Sequence, residues 1–334
     1  MNETLGINLI TADEVERMLS FSACIPVIRD AMIAFSADPK PQQLRSVVEI
    51  ATSGHFGVMP GRMSGSDFFG AKLVSVFPDG VANSRQRHQG IVVLFEGATG
   101  APICIADAEA ITTIRTAAAT AVATEALARA DARHLAIFGC GTQARAHLEA
   151  LTRGRSYDRI RVWGRSRSRA EQFAREESKR LGLDIIVEDQ AERAAGESDV
   201  LCTVTNAAEP FLKGAWINPG THINLVGSSI PGPSEVDSAL VQKSRYFVDS
   251  AVSARAQAAE FLRARASGLI DDAHILAEIG EVLDNRHAGR ENDTEITVYK
   301  SLGLVVQDLA VTHYLHDLMT CNAAGADAAA MLAD

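Results

Sequence analysis

Lys72 stands in the middle of an apolar, strand-like run, Gly70-Ala-Lys-Leu-Val-Ser-Val-Phe77. Arg45 has a similar setting in Leu44-Arg-Ser-Val-Val-Glu-Ile50, and Arg115 lies in the apolar Ile111-Thr-Thr-Ile-Arg-Thr-Ala-Ala118. A cation kept in apolar surroundings carries a desolvation cost that an anionic ligand offsets. Burial also moves a lysine pKa toward neutrality, where the ammonium becomes a useful proton donor. Spacing alone leaves the bland reading open for all three, in which the side chain points outward into water.

A second kind of chemistry is written at Leu135-Ala-Ile-Phe-Gly-Cys-Gly-Thr-Gln-Ala144. An apolar strand runs into Gly139-x-Gly141-x-x-Ala144, and the alanine falls inside the amphipathic helix that follows. Gly139 permits the tight turn, Gly141 lets the backbone approach a pyrophosphate, and Ala144 allows close helix–strand packing. The free N–H groups at the helix start then face the anion. The end of the next strand selects the cofactor. An acid there binds a ribose 2′-hydroxyl and favours NAD, whereas this chain reads Val162-Trp-Gly-Arg-Ser-Arg-Ser-Arg169. Arg165, Ser166 and Arg167 are donors suited to a 2′-phosphate, so NADP(H) is favoured and NAD(H) stays possible. The same residues also read as the surface start of the next helix.

These segments must be positioned by a chain of 334 residues, 47% hydrophobic and 22% charged, enough for one large or two ordinary domains, each with its own core. A formal net charge of −10 argues against a nucleic-acid partner, which needs a basic stripe. No apolar run approaches the roughly 18 residues of a membrane span, and Met1 to Gly6 lacks the positive charge of a secretory signal. Five scattered cysteines without C-x-x-C spacing read as reduced thiols, so the expected compartment is the cytoplasm. His313 and His316 share a helical face with no third ligand nearby, and no metal is expected.

From Ile7 to about Thr124 the chain opens with a capping box at Thr11 and Glu14 and goes on to strand-like runs. The runs are 44–50, 57–59, 71–77 and 91–95, expected to be mostly antiparallel. Glu109 to Ala130 reads as a long helix. From about Asp131 to Ser250 strands alternate with helices, the pattern of a parallel sheet covered on both faces. From Ile296 onward the chain reads as mostly helical. The expected fold is α/β: a Rossmann-type doubly wound parallel sheet over 125–304, plus an α+β dimerisation and substrate domain from 1–124 with 305–334.

Taken together, Val58-Met-Pro60, Gly70 to Ser75, His88-Gln-Gly90, Thr113 to Ala118, Phe138 to Gln143, Val226 to Pro231 with Glu235-Val-Asp237, and Lys300-Ser-Leu-Gly303 resemble the ornithine cyclodeaminase/mu-crystallin family over nearly the whole chain. Members include cyclodeaminases, alanine dehydrogenases, and ketimine or pyrroline-carboxylate reductases. The resemblance implies a homodimer. By position, Arg45 and Lys72 would hold a substrate carboxylate, Lys72 would also donate a proton, and Arg115 would bridge substrate and cofactor diphosphate. Thr142 and Gln143 would contact the diphosphate, and Thr205, Val226, Gly227 and Ser301 would line the cofactor pocket. His88 is carried over as a substrate-binding position.

Two departures from the family pattern bear on the reaction. Cyclodeaminases and some other members carry an Asp where this chain has Ser229, and a serine is a poor base for activating an amine. Reductases resembling mu-crystallin have Ser there. Met59-Pro-Gly-Arg-Met63 places Arg62 where relatives often have an Ala-Tyr pair, which suggests a second substrate carboxylate, as in iminosuccinate; a surface arginine is the alternative. The expected protein is an NAD(P)H-dependent imine reductase making an amino acid from an α-imino acid. The alternatives are an ornithine cyclodeaminase or alanine dehydrogenase, and an NADPH-binding storage protein.

Overall fold

The structure, a computed structural model, describes residues 6–38, 43–50, 54–77 and 88–331, with side chains over the same ranges except at 88 and 322–331. The chain begins with β1 (Asn8–Ile10), α1 (Ala12–Met18) and α2 (Phe21–Ala37). It continues through β2 (Ser46–Ile50), β3 (Gly54–Arg62), β4 (Phe68–Val76), β5 (His88–Glu96) and β6 (Pro102–Asp107) into α3 (Ala108–Leu127). An alternating stretch follows: β7 (His134–Phe138), α4 (Thr142–Gly154), β8 (Arg159–Trp163), α5 (Arg167–Leu181), β9 (Ile185–Val187), α6 (Ala191–Gly196) and β10 (Val200–Thr203). Then come β11 (His222–Leu225), α7 (Ser238–Lys243), β12 (Arg245–Val248), α8 (Ala251–Gln257) and α9 (Ala259–Ala266). β13 (Ile275–Glu278), α10 (Ile279–Leu283), β14 (Thr297–Lys300) and α11 (Val305–Met331) complete the order. The chain divides into two compact units, Met1–Arg115 with Val305–Asp334, and Thr116–Leu304; the division falls inside α3.

The first unit is built on a six-stranded sheet of order β1-β6-β5-β4-β3-β2. Its pairs are antiparallel except β1 with β6, which are parallel. Strand alternation gives the sheet two different faces. Gly70 and Lys72 on β4, Val92 and Leu94 on β5, and Cys104 and Ala106 on β6 share the buried face. α11 packs on this sheet and against α2, whose Cys24, Ile28 and Met32 are buried. Gly70 makes the close approach possible, since a Cβ there would lie 2.0 Å from the Val93 carbonyl oxygen and 2.8 Å from Leu309 Cδ2. On the opposite face Val48, Ile50, Phe69 and Ile91 remain exposed.

The capping box forms, with the Glu14 carboxylate accepting the Thr11 N–H at 2.8 Å. A new helix, α2, starts at once from Ser20, whose hydroxyl accepts the Ala23 N–H at 3.2 Å. Among the described residues no single helix is long and apolar enough to cross a membrane; α1 and α2 pass that test only as a pair, bent by 93°.

The second unit carries eight parallel strands in the order β13-β12-β14-β11-β10-β7-β8-β9. Both faces of this sheet are covered, and its strands are buried on both sides, as in β10 and β11, where every residue is buried. The chain order reverses between β7 and β10, which is where doubly wound sheets bind ligands. The mostly helical reading from Ile296 fails at its start: Thr297–Lys300 is β14, inserted between β11 and β12. Four fully buried residues show no amphipathic period, so a buried strand and a buried helix look alike there.

Candidate functional sites

In the first unit Lys72 and Arg115 are only 5% and 4% exposed, and both lie against Asp308, which is fully buried in the first turn of α11. Lys72 Nζ lies 3.0 Å from Asp308 Oδ1, and Arg115 Nε lies 3.1 Å from the same oxygen. Lys72 Nζ also donates to the Thr112 hydroxyl. Thr112 in turn donates its own proton to the Ala108 carbonyl at 2.5 Å, so toward Lys72 it acts as an acceptor. Arg115 Nη1 donates to Gln307 Oε1 at 2.6 Å. Two buried cations thus share one carboxylate. Among the described residues no further carboxylate matches the excess positive charge, which suits an incoming anion.

Burial pushes the Lys72 ammonium down to about 8; Asp308 opposes the shift, and the charges of Arg115 and Arg45 add to it. Arg45 sits half-buried just ahead of β2. Lys72, Arg45 and Arg115, far apart in sequence, therefore belong to one electrostatic neighbourhood. The outward, solvated reading of Lys72 and Arg115 is excluded by their burial.

Arg62 does not join them. Met59 pairs with Lys72 and Gly61 with Gly70, so Arg62, opposite Phe69, belongs to the other face of the sheet by alternation. Its guanidinium pairs with Asp38, which also accepts the Ser64 hydroxyl at 2.7 Å. The expectation that Arg62 adds a cation beside Lys72 is corrected by this register. His88 opens β5 opposite Val76, and its side chain lies outside the described residues. His316 lies 3.0 Å from the Asn8 amide, and His313 lies against the Phe68 ring.

In the second unit the candidate positions follow the C-terminal ends of five adjacent strands. Gly139 to Ala144 follow β7, Arg165 to Arg167 follow β8, Thr205 follows β10, Val226, Gly227 and Ser229 follow β11, and Ser301 follows β14. Gly139 has a φ of 126°, and a Cβ would lie 2.9 Å from the Val204 carbonyl oxygen. Gly141 is the N-cap of α4, where a Cβ would meet nothing within 4 Å. Thr142 and Gln143 form the first turn of α4, and Ala144 is buried against the sheet. Gln143 Oε1 and Ser301 Oγ are buried with no hydrogen-bond partner among the described residues. An open approach at a helix N-terminus and two orphaned polar atoms at the switch point fit a dinucleotide.

Arg167 starts α5 and is already engaged, by Glu171 at 2.8 Å and by Asp189. Ser166 is the N-cap, its hydroxyl 3.1 Å from that of Ser168, and Arg165 is exposed. Ser229 is half-buried beside Ser228, whose carbonyl accepts Lys300 Nζ at 2.5 Å; Lys300 also pairs with Glu260 at 3.0 Å.

Sequence reasoning gave no role to Asp308, Gln307 or Thr112, nor to Glu235. The buried Glu235 carboxylate accepts the Thr203 hydroxyl, the Thr205 N–H and the Thr205 hydroxyl at 2.7 Å each, and the Gly227 N–H at 2.8 Å. It ties together the segments after β10 and β11; burial pushes its carboxyl up against the pull of Thr203 and Thr205. The signal for Asp308 was present as Gln307-Asp308 inside the apolar Leu302 to Val311.

The family model for the ornithine cyclodeaminase/mu-crystallin family matches residues 7–322. Ketimine reductase mu-crystallin of Rattus norvegicus is 36% identical over 313 residues, covering 92% of this chain and 96% of its own. Among solved structures, Delta(1)-pyrroline-2-carboxylate reductase of Thermococcus litoralis, in complex with NADH and L-proline, aligns with a TM-score of 0.88 at 33% identity, covering 93% of this chain and 97% of the other. An archaeal alanine dehydrogenase dimer with bound NAD aligns with a TM-score of 0.88 at 29% identity, covering 95% and 97%.

Proposed function

Because this chain belongs to the ornithine cyclodeaminase/mu-crystallin family, we propose that it is a nicotinamide-dependent imine reductase that turns an α-imino acid into an amino acid. The observation carrying this reading is the pair of buried cations, Lys72 and Arg115, sharing the single carboxylate of Asp308. That excess charge binds the carboxylate common to every α-imino acid, with Arg45 adding to the attraction. Lys72, with its ammonium near neutrality, holds a proton for the imine nitrogen. The cofactor, when bound, supplies the hydride. Gly139, Gly141, Thr142, Gln143 and Ala144 would hold its diphosphate, and Thr205, Val226, Gly227 and Ser301 the rest. Holding both reactants in fixed geometry is the chain's main contribution to rate.

Ser229 supports reduction over cyclodeamination, since a serine hydroxyl is a poor base for ring closure by an amine. Arg165, with Ser166 and Arg167, favours NADPH over NADH. The exposed apolar face of Val48, Ile50, Phe69 and Ile91 favours a homodimer closed across the first unit's sheet. A cyclic or other monocarboxylic imine is the preferred substrate. Arg45, a third cation near Lys72, favours as second reading a dicarboxylic imine such as iminosuccinate, without help from Arg62.

The test is a panel of cyclic, monocarboxylic and dicarboxylic imines with NADH and NADPH, followed by nicotinamide absorbance, with ornithine plus NAD as control. Cofactor oxidation with an α-imino acid is expected. No oxidation with any imine, or proline and ammonia from ornithine, refutes the assignment.

A further inference from the structure

We propose that Asp308 is a positioning residue for Lys72, holding the ammonium charged and aimed so that one N–H is left to protonate the imine nitrogen. An ammonium has three N–H donors. One goes to Asp308 Oδ1 and one to Thr112, whose own proton is committed to the Ala108 carbonyl. The third has no acceptor among the described residues. Two fixed acceptors determine where that third donor points.

Asp308 uses a single oxygen for both cations, while its Oδ2 is buried with no hydrogen-bond partner among the described residues. It lies in the first turn of α11. Gln307, the preceding residue, takes the Arg115 guanidinium, so one turn of α11 fixes both cations. The groups facing Lys72 are Asp308 from α11, Arg115 and Thr112 from α3, and Arg45 from the segment before β2. On the neighbouring strands Met59 and Val92 pair with it and carry no charge. Asp308 is the one anion among them.

In the step this serves, a Lys72 N–H bond breaks as an N–H bond to the imine nitrogen forms, and the electron pair stays on Nζ as a neutral amine. The carbon takes its hydrogen and two electrons from the reduced nicotinamide cofactor. The inference rests on the reductase reading for this step, but not for the hold of Asp308 on Lys72.

The experiment uses the full chain labelled with 13Cε-lysine, which has six lysines to resolve, with Lys72→Met assigning the signal. The Lys72 titration midpoint is measured beside the pH profile of kcat/KM for a cyclic imine, in wild type and Asp308→Asn. Both the midpoint and the basic limb should move together to lower pH by at least about one unit, because the ammonium loses the one anion that faces it among the described residues. Asp308→Glu should return both toward wild type, and Asp308→Ser carries the same expectation as Asn where Asn does not fold. A midpoint that stays put overturns the proposal, as does a midpoint that moves while the limb does not. If the wild type reduces no imine, the reductase reading fails, and the midpoint still decides whether Asp308 governs Lys72.

Discussion

Replacing Lys72 with methionine removes the ammonium and keeps most of the side-chain length. The first unit's site then holds one buried cation against one carboxylate, leaving the half-buried Arg45 as the remaining excess charge for a substrate. Losing the through-space attraction of the ammonium for the substrate carboxylate, over about 6–10 Å at an effective dielectric of about 20, costs about 1.5–3 kcal/mol, roughly tenfold to a hundredfold in KM. Losing the proton donor costs a further ~10²–10⁴ in kcat. Together kcat/KM should fall by at least about a thousandfold, divided between KM and kcat in that way. Stability should respond differently. Asp308 keeps Arg115 at 3.1 Å, so the variant leaves no uncompensated buried charge. Burial lowers the folded-state pKa of Lys72 to about 8 from 10.5. Between those values the unfolded chain holds a proton that the folded chain does not, so stability rises with pH across that window. Urea melts at pH 7 and pH 10 should therefore show the wild type gaining on Lys72→Met at the higher pH. Activity within tenfold of wild type, with no change in KM, would refute the role of the ammonium.

His147 and His222 are fully buried, and burial holds them down to about 4 and about 3, below the usual 6.5. Between pH 6.5 and 4 the unfolded chain binds their protons and the folded chain does not. Each should therefore cost about 1.4 kcal/mol per pH unit as pH falls. His147→Gln should flatten that slope in denaturant titrations, and an unchanged slope would count against a neutral imidazole. NADPH should bind more tightly than NADH by fluorescence titration, and Arg165→Ala should erase most of the difference. Asp189→Asn, by releasing Arg167, should widen it; equal affinities in the wild type would end the 2′-phosphate reading. Arg62→Ala should leave the ratio of kcat/KM for iminosuccinate and a monocarboxylic imine unchanged, whereas selective loss with iminosuccinate would contradict its placement on the far sheet face.

The parts legible in the sequence were those whose determinants are local. The capping box at Thr11, the Gly139 turn and the β7-α4-β8-α5 succession each depend on residues a few positions apart. Lys72 was visible as an anomaly, but its meaning needed Asp308, 236 positions away. No periodicity within β4 could supply that partner. Strand order was hidden for the same reason: β1 pairs with β6, and β14 lies between β11 and β12. The face occupied by Arg62 follows from the pairing of Met59 with Lys72, a register that the sequence of either strand leaves open.

Gly70 lies two residues before Lys72 on the face that receives α11, with the Val93 carbonyl oxygen and Leu309 already in the space a methyl group would need. Leu309 follows Gln307 and Asp308 directly, so a side chain at 70 would displace the turn that holds both cations. Packing and charge placement are therefore one constraint at this position. In a mutational screen Gly70 would score with the site residues although it carries no reactive group, and shortening the residue at 309 would not rescue it, because the Val93 carbonyl oxygen would still lie 2.0 Å from the added Cβ.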